Sequence, residues 1–296
     1  MKVNISAKSD TGLERTNNED AFVFCQDLNR QNWDEATHGY IPAGDLGSFA
    51  AVADGMGGAN AGETASNIAL DTIKNAFRAD IVKSVVSSEQ DICAYIREVI
   101  KKAHEAIMQH VNADPDTIGM GTTIVLLWMI RGKAFIAWCG DSRCYVYNPR
   151  KGMHRLSKDH SLIQELIDKG EITVDESYER PDGNIITRCL GDTDSSSDPD
   201  LTTYVVRPDD TFLLCSDGLC GYCRDKTIRK TLNSSVTDVD KCSDALIDIS
   251  LKRGGYDNVT VVLLSAIDDN SATLRIPFLS KIRNWFALSL IHISEP

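Results

Sequence analysis

Residues 122–139 have the sequence TTIVLLWMIRGKAFIAWC, in which two apolar runs flank Arg131-Gly132. A short break that contains glycine between two runs rich in β-branched and aromatic residues is typical of a β-hairpin with a tight turn. Both runs are almost continuously apolar, which indicates strands covered on both faces rather than a sheet with one side in water. This stretch therefore predicts a buried antiparallel hairpin.

Other segments of the chain extend the pattern. Further apolar, β-rich runs lie at 49–53, 144–147, 211–215 and 259–264. Apolar residues spaced at i, i+3 and i+4 predict helices at 63–77, 91–111 and 239–253. The last helix is followed by Gly254-Gly255, a typical C-terminal cap. Strands separated by long helices indicate an α+β fold, with helices packed outside a mostly antiparallel β core.

The chain of 296 residues is acidic, with a net charge of −12 from 31 lysines and arginines against 43 aspartates and glutamates. Such a surface repels nucleic acid and anionic lipid, so we expect no nucleic-acid partner. No run reaches the roughly 18 apolar residues that cross a bilayer, and the first ten residues lack the apolar centre of a secretory signal. We expect a cytoplasmic protein without a membrane span, acting as a monomer.

The clear structural signals end near residue 266, and 42% apolar residues are enough to build one large core. We therefore expect one domain at 1–266 and a tail of unknown role at 267–296. Nine cysteines occur at irregular spacing, which does not indicate a disulfide framework in a chain of this length. We expect most of them to be reduced thiols in the core.

Aspartates lie where the apolar runs begin or end. Asp54 and Asp217 each follow a run and precede a glycine, whereas Asp257 opens a run and Asp141 lies in a turn between two runs. In an antiparallel sheet, the end of one strand lies beside the start of its neighbour, so these side chains can converge on one rim. A single Asp-Gly is usually only a turn, but four such aspartates beside strongly apolar runs indicate a shared site.

Several carboxylates in one cleft repel one another unless cations neutralise them. Hard ions such as Mg²⁺ or Mn²⁺ prefer oxygen ligands, and two of them about 3.5–4 Å apart can activate one bridging water. The glycines of Asp54-Gly55-Met56-Gly57-Gly58 let the backbone turn sharply, so that a carbonyl can also face a metal. Arg15 offers a planar fork for a phosphoryl group, Glu19 a further ligand, and Asp20 an acceptor for a metal-bound water. A solvated loop is the alternative for residues 15–20.

Taken in order, these residues and their neighbours resemble the motifs of the PPM family of protein phosphatases, the protein phosphatase 2C type. The motifs are RTNNEDA (15–21), ADGMGG (53–58), GTT (121–123), GDSR (140–143), DHS (159–161), SDGL (216–219) and DNVT (257–260). The Met56-Gly57-Gly58 variant and the stretch IITRCLG at 185–191 resemble bacterial members. The resemblance implies a four-layer αββα fold, in which a central antiparallel β-sandwich is flanked by helices on both sides.

The resemblance also implies a role for each matching residue. Asp54, Asp217 and Asp257 would hold a first metal, and Glu19, Asp54 and the Gly55 carbonyl would hold a second. In the same way, Asp141 with Asp217 would hold a third, weaker metal of the kind found in bacterial members.

The remaining implied roles concern the substrate. Arg15 would bind the substrate phosphate, and residues 162–190 would form a mobile flap that influences substrate choice. Two departures from the family pattern stand out. Met56 replaces the histidine that human-type members are proposed to use as general acid, so a water or another group must protonate the leaving group. Gly221 replaces an acid that helps some members to hold the third metal.

The expected activity is that of a metal-dependent protein serine/threonine phosphatase, with Arg15 and Asp20 as catalytic residues. Mn²⁺ or Mg²⁺, two per site with a possible third, would activate a bridging water that attacks phosphorus directly. The expected partners are phosphorylated Ser/Thr proteins, including a Ser/Thr protein kinase. The alternatives are a catalytically silent phosphoprotein- or kinase-binding pseudophosphatase, and a hydrolase of small phosphate esters.

Two motifs outside the carboxylate set have structural alternatives. Cys220 and Cys223 form a C-x-x-C motif, which is half of a zinc site, a redox switch, or two unrelated thiols. We favour the unrelated thiols, because no second Cys or His pair has matching spacing. His160 is either a proton shuttle or, as we favour, a residue that caps or packs.

Overall fold

The computed structural model describes residues 1–35, 39–57, 61–178, 180, 182–192 and 196–268. The tail expected at 267–296 is therefore described only as far as residue 268. Gly58 of the ADGMGG motif lies outside the described residues, as do residues 179 and 181 of the expected flap.

Two antiparallel sheets form the centre of the molecule. The first sheet has the strand order β3-β1-β12-β11-β8-β9, and the second has the order β10-β7-β6-β4-β2, with β5 paired to the end of β4. The strands are β1 Lys2–Asp10, β2 Asp20–Cys25, β3 Ile41–Pro42, β4 Ser48–Met56, β5 Gly121–Thr122, β6 Ile124–Ile130, β7 Lys133–Cys139, β8 Arg143–Asn148, β9 Gly152–Arg155, β10 Asp200–Val205, β11 Thr211–Cys215 and β12 Val259–Ile267.

Helices cover the outer faces of both sheets. They are α1 Ala61–Ala76, α2 Ala79–Val85, α3 Glu89–Ala113, α4 Leu162–Asp168, α5 Val174–Ser177, α6 Asp217–Cys220, α7 Asp225–Ser235 and α8 Val239–Leu251, with a 3₁₀ turn at Pro115–Thr117. Helices α1 and α3 pack on the second sheet through one apolar core, and α6, α7 and α8 pack on the first sheet through another. A third core fills the space between the sheets. The expected four-layer αββα architecture is confirmed.

The hairpin predicted at the outset is formed by β6 and β7, which pair from Ile124 opposite Cys139 to Ile130 opposite Lys133. Arg131 and Gly132 both have positive φ, 51° and 74°, as a two-residue hairpin turn requires. Every residue of β6 is buried, because one face of its sheet meets the other sheet and the opposite face meets the helices. The first strand begins at Ile124 rather than at residue 122, since Thr122 pairs with β4 in the short strand β5.

The three predicted helices correspond to α1, α3 and α8. Their ends differ from the predicted ones by at most two residues, and α8 begins at Val239 as predicted. Gly254 and Gly255, with φ of 123° and 53°, follow α8 as predicted. All nine cysteines are unpaired, and all but Cys93 are buried, as expected for reduced core thiols. Among the helices that the structure describes, none is both long and apolar enough to cross a membrane.

Candidate active site

A cavity of about 310 Å³ opens at one end of the β-sandwich. It is lined by seven of the eight residues that sequence analysis selected: Arg15, Glu19, Asp54, Gly55, Asp141, Asp217 and Asp257. The eighth, Asp20, lies buried behind the cavity wall, where its Oδ2 accepts a hydrogen bond from Ser216 Oγ at 2.6 Å. Residues from both ends of the chain thus meet at one place.

Strand pairing brings these carboxylates together. In the second sheet, Asp20 of β2 lies directly opposite Asp54 of β4. In the first sheet, Cys215 at the end of β11 pairs with Val261 near the start of β12. Asp217 follows the one strand and Asp257 precedes the other, so both reach the same rim, as antiparallel pairing requires. Asp141 joins them from the turn between β7 and β8, where the chain crosses from one sheet to the other.

The backbone of Asp54 is held on both sides by the β5–β6 junction. Its N–H donates to Thr123 Oγ1 at 3.1 Å, and its carbonyl accepts from the Thr123 N–H at 2.9 Å and from Thr122 Oγ1 at 3.0 Å. Thr123 Oγ1 also shares a hydrogen bond with Ser142 Oγ at 2.8 Å, next to Asp141. The break in the strand at Thr123 therefore connects the positions of two site aspartates.

Glu19 is fixed by contacts with distant parts of the chain. Its N–H donates to Asn258 Oδ1 at 2.8 Å, and its carbonyl accepts from the Gly55 N–H at 3.1 Å. The start of α1 packs against this pair. A Cβ at Gly62 would lie 2.8 Å from Glu19 Cδ, and a Cβ at Gly55 would lie 2.2 Å from the Gly62 carbonyl oxygen. Both positions need glycine because the backbones approach too closely for a side chain.

The carboxylates of the site are held in an unfavourable electrostatic environment. Burial, and then the neighbouring carboxylates Asp20 and Asp217, raise the pKa of Asp54 well above its usual value. Burial and the charge of Asp217 raise the pKa of Asp141 in the same direction. Burial and the charge of Asp257 raise the pKa of Asp217 to about 6, although a hydrogen bond with Asp54 partly offsets them. Asp54, Asp141 and Asp217 are therefore costly to keep ionised without a cation.

Two oxygen atoms behind and beside the cavity are buried without a hydrogen-bond partner in the described residues, Asp20 Oδ1 and Asp141 Oδ1. Burial raises the pKa of Asp20 to about 7, against the hydrogen bond from Ser216. An unpartnered buried carboxylate oxygen is unusual in a folded protein and calls for an explanation such as an ion or a water.

Arg15 supplies the cation of the cavity. Its Nη2 donates to Asp257 Oδ2 at 2.9 Å, and half of its side chain is exposed. Among the described lining residues it faces six carboxylates, those of Glu19, Asp54, Asp141, Asp192, Asp217 and Asp257. An exposed guanidinium at the mouth of an acidic cavity is placed to receive a phosphoryl group from solvent.

The residues fit divalent cations by their chemistry. The ligand groups are oxygen atoms, which suit Mg²⁺ or Mn²⁺ rather than softer ions, and the excess of buried negative charge is what such ions would neutralise. In the described part of the chain, no three His, Cys, Asp or Glu side chains are already drawn together around one point. The carboxyl groups instead pair with other partners, Asp257 with Arg15 and Asp54 with Asp217.

Six further described residues line the cavity: Met56, Gly57, Asn184, Ile186, Cys189 and Asp192. The first two belong to the ADGMGG motif and the next three to the expected flap at 162–190, whereas sequence analysis pointed to no role for Asp192. Asp192 lies just beyond the IITRCLG stretch, outside every motif, and yet forms part of the wall. Asn258 and Ser216, which orient Glu19 and Asp20, lie within the DNVT and SDGL motifs, so their motif positions were the available signal.

His160 and the C-x-x-C motif of Cys220 and Cys223 lie outside the lining of this cavity. The ring of His160 stacks on Trp138 with centroids 6.2 Å apart, and its Nδ1 accepts from the Gly140 N–H at 3.2 Å. These contacts agree with the packing role. Cys220 and Cys223 are buried, unpaired thiols, in agreement with two unrelated cysteines.

Comparisons with known proteins agree with this arrangement. The family model of protein phosphatase 2C matches residues 9–259. The serine/threonine protein phosphatase PstP of Mycobacterium tuberculosis is 32% identical over 263 residues, which are 89% of this chain and 45% of PstP. The protein phosphatase PhpP of Streptococcus pneumoniae is 32% identical over 267 residues, which are 90% of this chain and 99% of PhpP.

A solved structure shows the same fold. The catalytic domain of PstP in complex with two manganese ions superposes with a TM-score of 0.72 and 31% identity, covering 90% of this chain and 99% of that one. The present chain spans about half the length of the full mycobacterial PstP. On the family match, the relatives and the shared architecture, the chain belongs to the protein phosphatase 2C family.

Proposed function

We propose that this protein is a metal-dependent phosphatase that hydrolyses phosphoserine and phosphothreonine in other proteins. The observation that carries the proposal is the cavity itself, where six carboxylates from both sheets surround a space that a single exposed arginine enters. Family membership supports the same activity, since PstP and PhpP are both named as phosphatases.

Each residue of the chain has a distinct part in this proposal. Asp54, Asp217 and Asp257 would hold one divalent cation, and Glu19, Asp54 and the Gly55 carbonyl a second, with Asp141 and Asp217 available for a third. When bound, Mn²⁺ or Mg²⁺ would supply an activated water and stabilise negative charge on the phosphoryl oxygens.

Arg15 would leave Asp257 to bind two oxygens of the incoming phosphoryl group with its planar fork. Because the Arg15 side chain is half exposed and held by one ion pair, replacing Asp257 by a phosphoryl group as its partner costs little free energy. In this position the guanidinium would orient phosphorus for in-line attack and stabilise charge that develops on the equatorial oxygens.

Asp20 would act from behind the cavity. The hydrogen bond from Ser216 fixes its Oδ2, which leaves the unpartnered Oδ1 to accept a hydrogen bond from a water in the site. This is a positioning role for the attacking water, since an acceptor fixes its lone pairs. Met56 has no titratable group, so solvent would protonate the leaving serine or threonine oxygen.

Further parts of the proposal concern the whole protein. Residues 1–266 would form one catalytic domain, since the family match ends at residue 259 and the last strand of the described residues ends at Ile267. The substrates would be phosphorylated Ser/Thr proteins, including a Ser/Thr protein kinase, met by a monomeric enzyme in the cytoplasm.

Release of phosphate from a phosphothreonine peptide tests this function. We expect turnover with Mn²⁺, slower turnover or none without added metal, and none with excess chelator. A nucleoside monophosphate, offered at the same concentration, should be turned over much more slowly. Equal turnover of the nucleotide would favour a small-ester hydrolase, and phosphopeptide binding without turnover in Mn²⁺ would favour a pseudophosphatase.

A further inference from the structure

Beside the active-site cavity lies a second concave surface with the opposite electrostatic character. It has a volume of about 370 Å³ and is lined by Tyr178, Gly221, Tyr222, Arg224 and Arg253. We call it the tyrosine–arginine groove. Its described lining contains two guanidinium groups and two phenol rings but no carboxylate, on a chain whose net charge is −12.

The groove is continuous with the active site. It shares Tyr178, Gly221 and Tyr222 with a cavity of about 150 Å³, and that cavity also has Asp141 and Asp217 in its wall. Both aspartates line the active-site cavity as well. A chain that places a phosphorylated side chain among the carboxylates therefore has a path along which its neighbouring residues reach the groove.

Both arginines of the groove are available to a ligand. The exposed Arg253 guanidinium has no ion pair or hydrogen bond within the described residues. Arg224 lies over the Tyr178 ring, 5.5 Å from its centroid, and its Nη1 is 3.1 Å from Oδ1 of Asp175. Since 81% of the Asp175 side chain is exposed, solvent weakens that ion pair, and a bound acid can replace it at little cost.

Aromatic side chains give the groove an apolar surface. The rings of Tyr222 and Tyr256 pack with centroids 5.5 Å apart, and Tyr256 is 54% exposed. Exposed aromatic residues beside arginines are typical of surfaces that bind polypeptides. Gly221 carries no side chain between the groove and Asp217, at the position where some family members have an acid. Among the described residues, the groove side of Asp217 therefore carries no carboxylate of its own that would repel an acidic peptide.

We propose that the tyrosine–arginine groove binds the substrate polypeptide beside the phosphorylated residue and selects segments with acidic side chains there. This inference rests on the proposed function, because the peptide is oriented by its phosphoryl group in the carboxylate cavity. Substrate carboxylates pair with Arg253 and Arg224, and apolar parts of the peptide pack on the tyrosine rings.

Paired phosphothreonine peptides test the groove. One peptide carries glutamates on both sides of the phosphothreonine, and its partner carries glutamines at the same positions. We expect the wild-type kcat/KM to be about three- to tenfold higher for the glutamate peptide, as two partly exposed ion pairs allow. In the double variant Arg224→Ala/Arg253→Ala this preference should fall to about one, while turnover of the glutamine peptide and of p-nitrophenyl phosphate is unchanged.

Matched variants separate a specific site from general charge. Arg150→Ala removes another exposed arginine, in the β8–β9 turn away from the groove, and should keep the full preference. Asp175→Asn releases Arg224 from its competitor and should increase the preference. Loss of the preference in Arg150→Ala, or its survival in the double variant, would overturn the proposal.

Failure of the groove and failure of the proposed function give different results. Turnover of p-nitrophenyl phosphate with equal kcat/KM for both peptides keeps the phosphatase and removes the groove. If the wild-type protein hydrolyses neither substrate, the groove is tested by binding of the two fluorescently labelled phosphopeptides. Tighter binding of the glutamate peptide that is lost in the double variant supports the groove, and equal binding contradicts it.

Discussion

Two neighbouring regions of this molecule hold buried aspartates in opposite ways. Asp159 accepts three hydrogen bonds from Arg143: Nε donates to Oδ1 at 2.9 Å and to Oδ2 at 3.0 Å, and Nη2 donates to Oδ2 at 2.6 Å. Arg155 Nη1 also lies 3.5 Å from Oδ2. Asp141, only two residues before Arg143, has a buried oxygen without any partner in the described residues. The first aspartate has its counter-charge built into the chain, whereas the second does not.

The difference indicates what each region is for. A bidentate arginine satisfies a buried carboxylate permanently and ties β8 to the segment before α4. The carboxylates of the active-site cavity share one half-exposed arginine among six, and burial raises the pKa values of Asp54, Asp141 and Asp217. Their negative charge is a cost to folding that only cations from outside the chain can offset, which links stability to function.

The largest effect is expected from removing a carboxylate of the cavity. Asp54→Ala should lower kcat with a phosphothreonine peptide by about 1,000-fold or more, since losing one group that stabilises transition-state charge costs about 10²–10³ and Asp54 is shared between two cation positions. Phosphate release at saturating Mn²⁺ measures the change. Activity within tenfold of wild type would remove Asp54 from the mechanism.

Removing the arginine of the Arg143–Asp159 pair should lower the stability of the fold rather than activity alone. Arg143→Met leaves Asp159 buried without its main partner, and we expect it to destabilise the fold by about 3–5 kcal/mol. Urea denaturation in the presence of chelator measures the free energy of unfolding without any contribution from metal. Arg150→Met is the control for loss of an exposed arginine and should change it by less than about 0.5 kcal/mol. An equally small change in Arg143→Met would show that the pair contributes nothing.

Arg15 lies between the two extremes, because it is paired with Asp257 but half exposed. Arg15→Ala should reduce kcat/KM for a phosphopeptide by about 10–100-fold, the range for a lost hydrogen bond to a charged group. Arg15→Lys should recover part of this, since it restores the charge without the planar fork. If alanine and lysine variants both match the wild type, Arg15 does not contact the phosphoryl group.

The smallest effect concerns pH. In chelator, the raised pKa values of Asp217, about 6, and Asp20, about 7, mean that the folded protein binds more protons than the unfolded chain. Their contribution to stability is therefore present at low pH and is lost as pH rises from about 4 to 7. We expect the metal-free Tm to fall over this interval, since the protons that stabilise the folded state are lost.

In saturating Mn²⁺, Tm should instead rise with pH over the same interval, because the ions bind the deprotonated carboxylates. Asp217→Asn in chelator should flatten the decline. A metal-free Tm that rises through the same pH interval would contradict the cause assigned to these pKa values.

Much of this architecture was predictable from local pattern. The β6–β7 hairpin, the helices α1, α3 and α8 and the αββα class follow from periodicity, turn residues and family resemblance. That Asp54, Asp217 and Asp257 meet at one rim follows from a rule of strand pairing. Asp54 and Asp217 come at the ends of apolar runs and Asp257 at the start of one, and antiparallel pairing brings such positions together. These elements share a property: their signal lies within a short stretch of sequence.

Other parts carried no such local signal. β1, with the sequence KVNISAKSD, and β10, DLTTYV, have polar residues on alternate positions and lie near or at sheet edges, so neither contains a continuous apolar run. Asp192 lines the cavity two residues after Leu190, which pairs with Thr122, a residue far away in sequence. Such a contact is set by tertiary packing, which a single sequence does not display.

The central claim is that the aspartates of the rim form a site for divalent cations. Titration of the metal-free protein with Mn²⁺ by isothermal calorimetry tests it most directly, with wild type beside Asp217→Asn. We predict at least two ions per wild-type chain, and fewer and weaker sites in the variant, because Asp217 belongs to two of the proposed ligand sets. Binding of less than one ion, or identical titrations of the two proteins, would contradict the account.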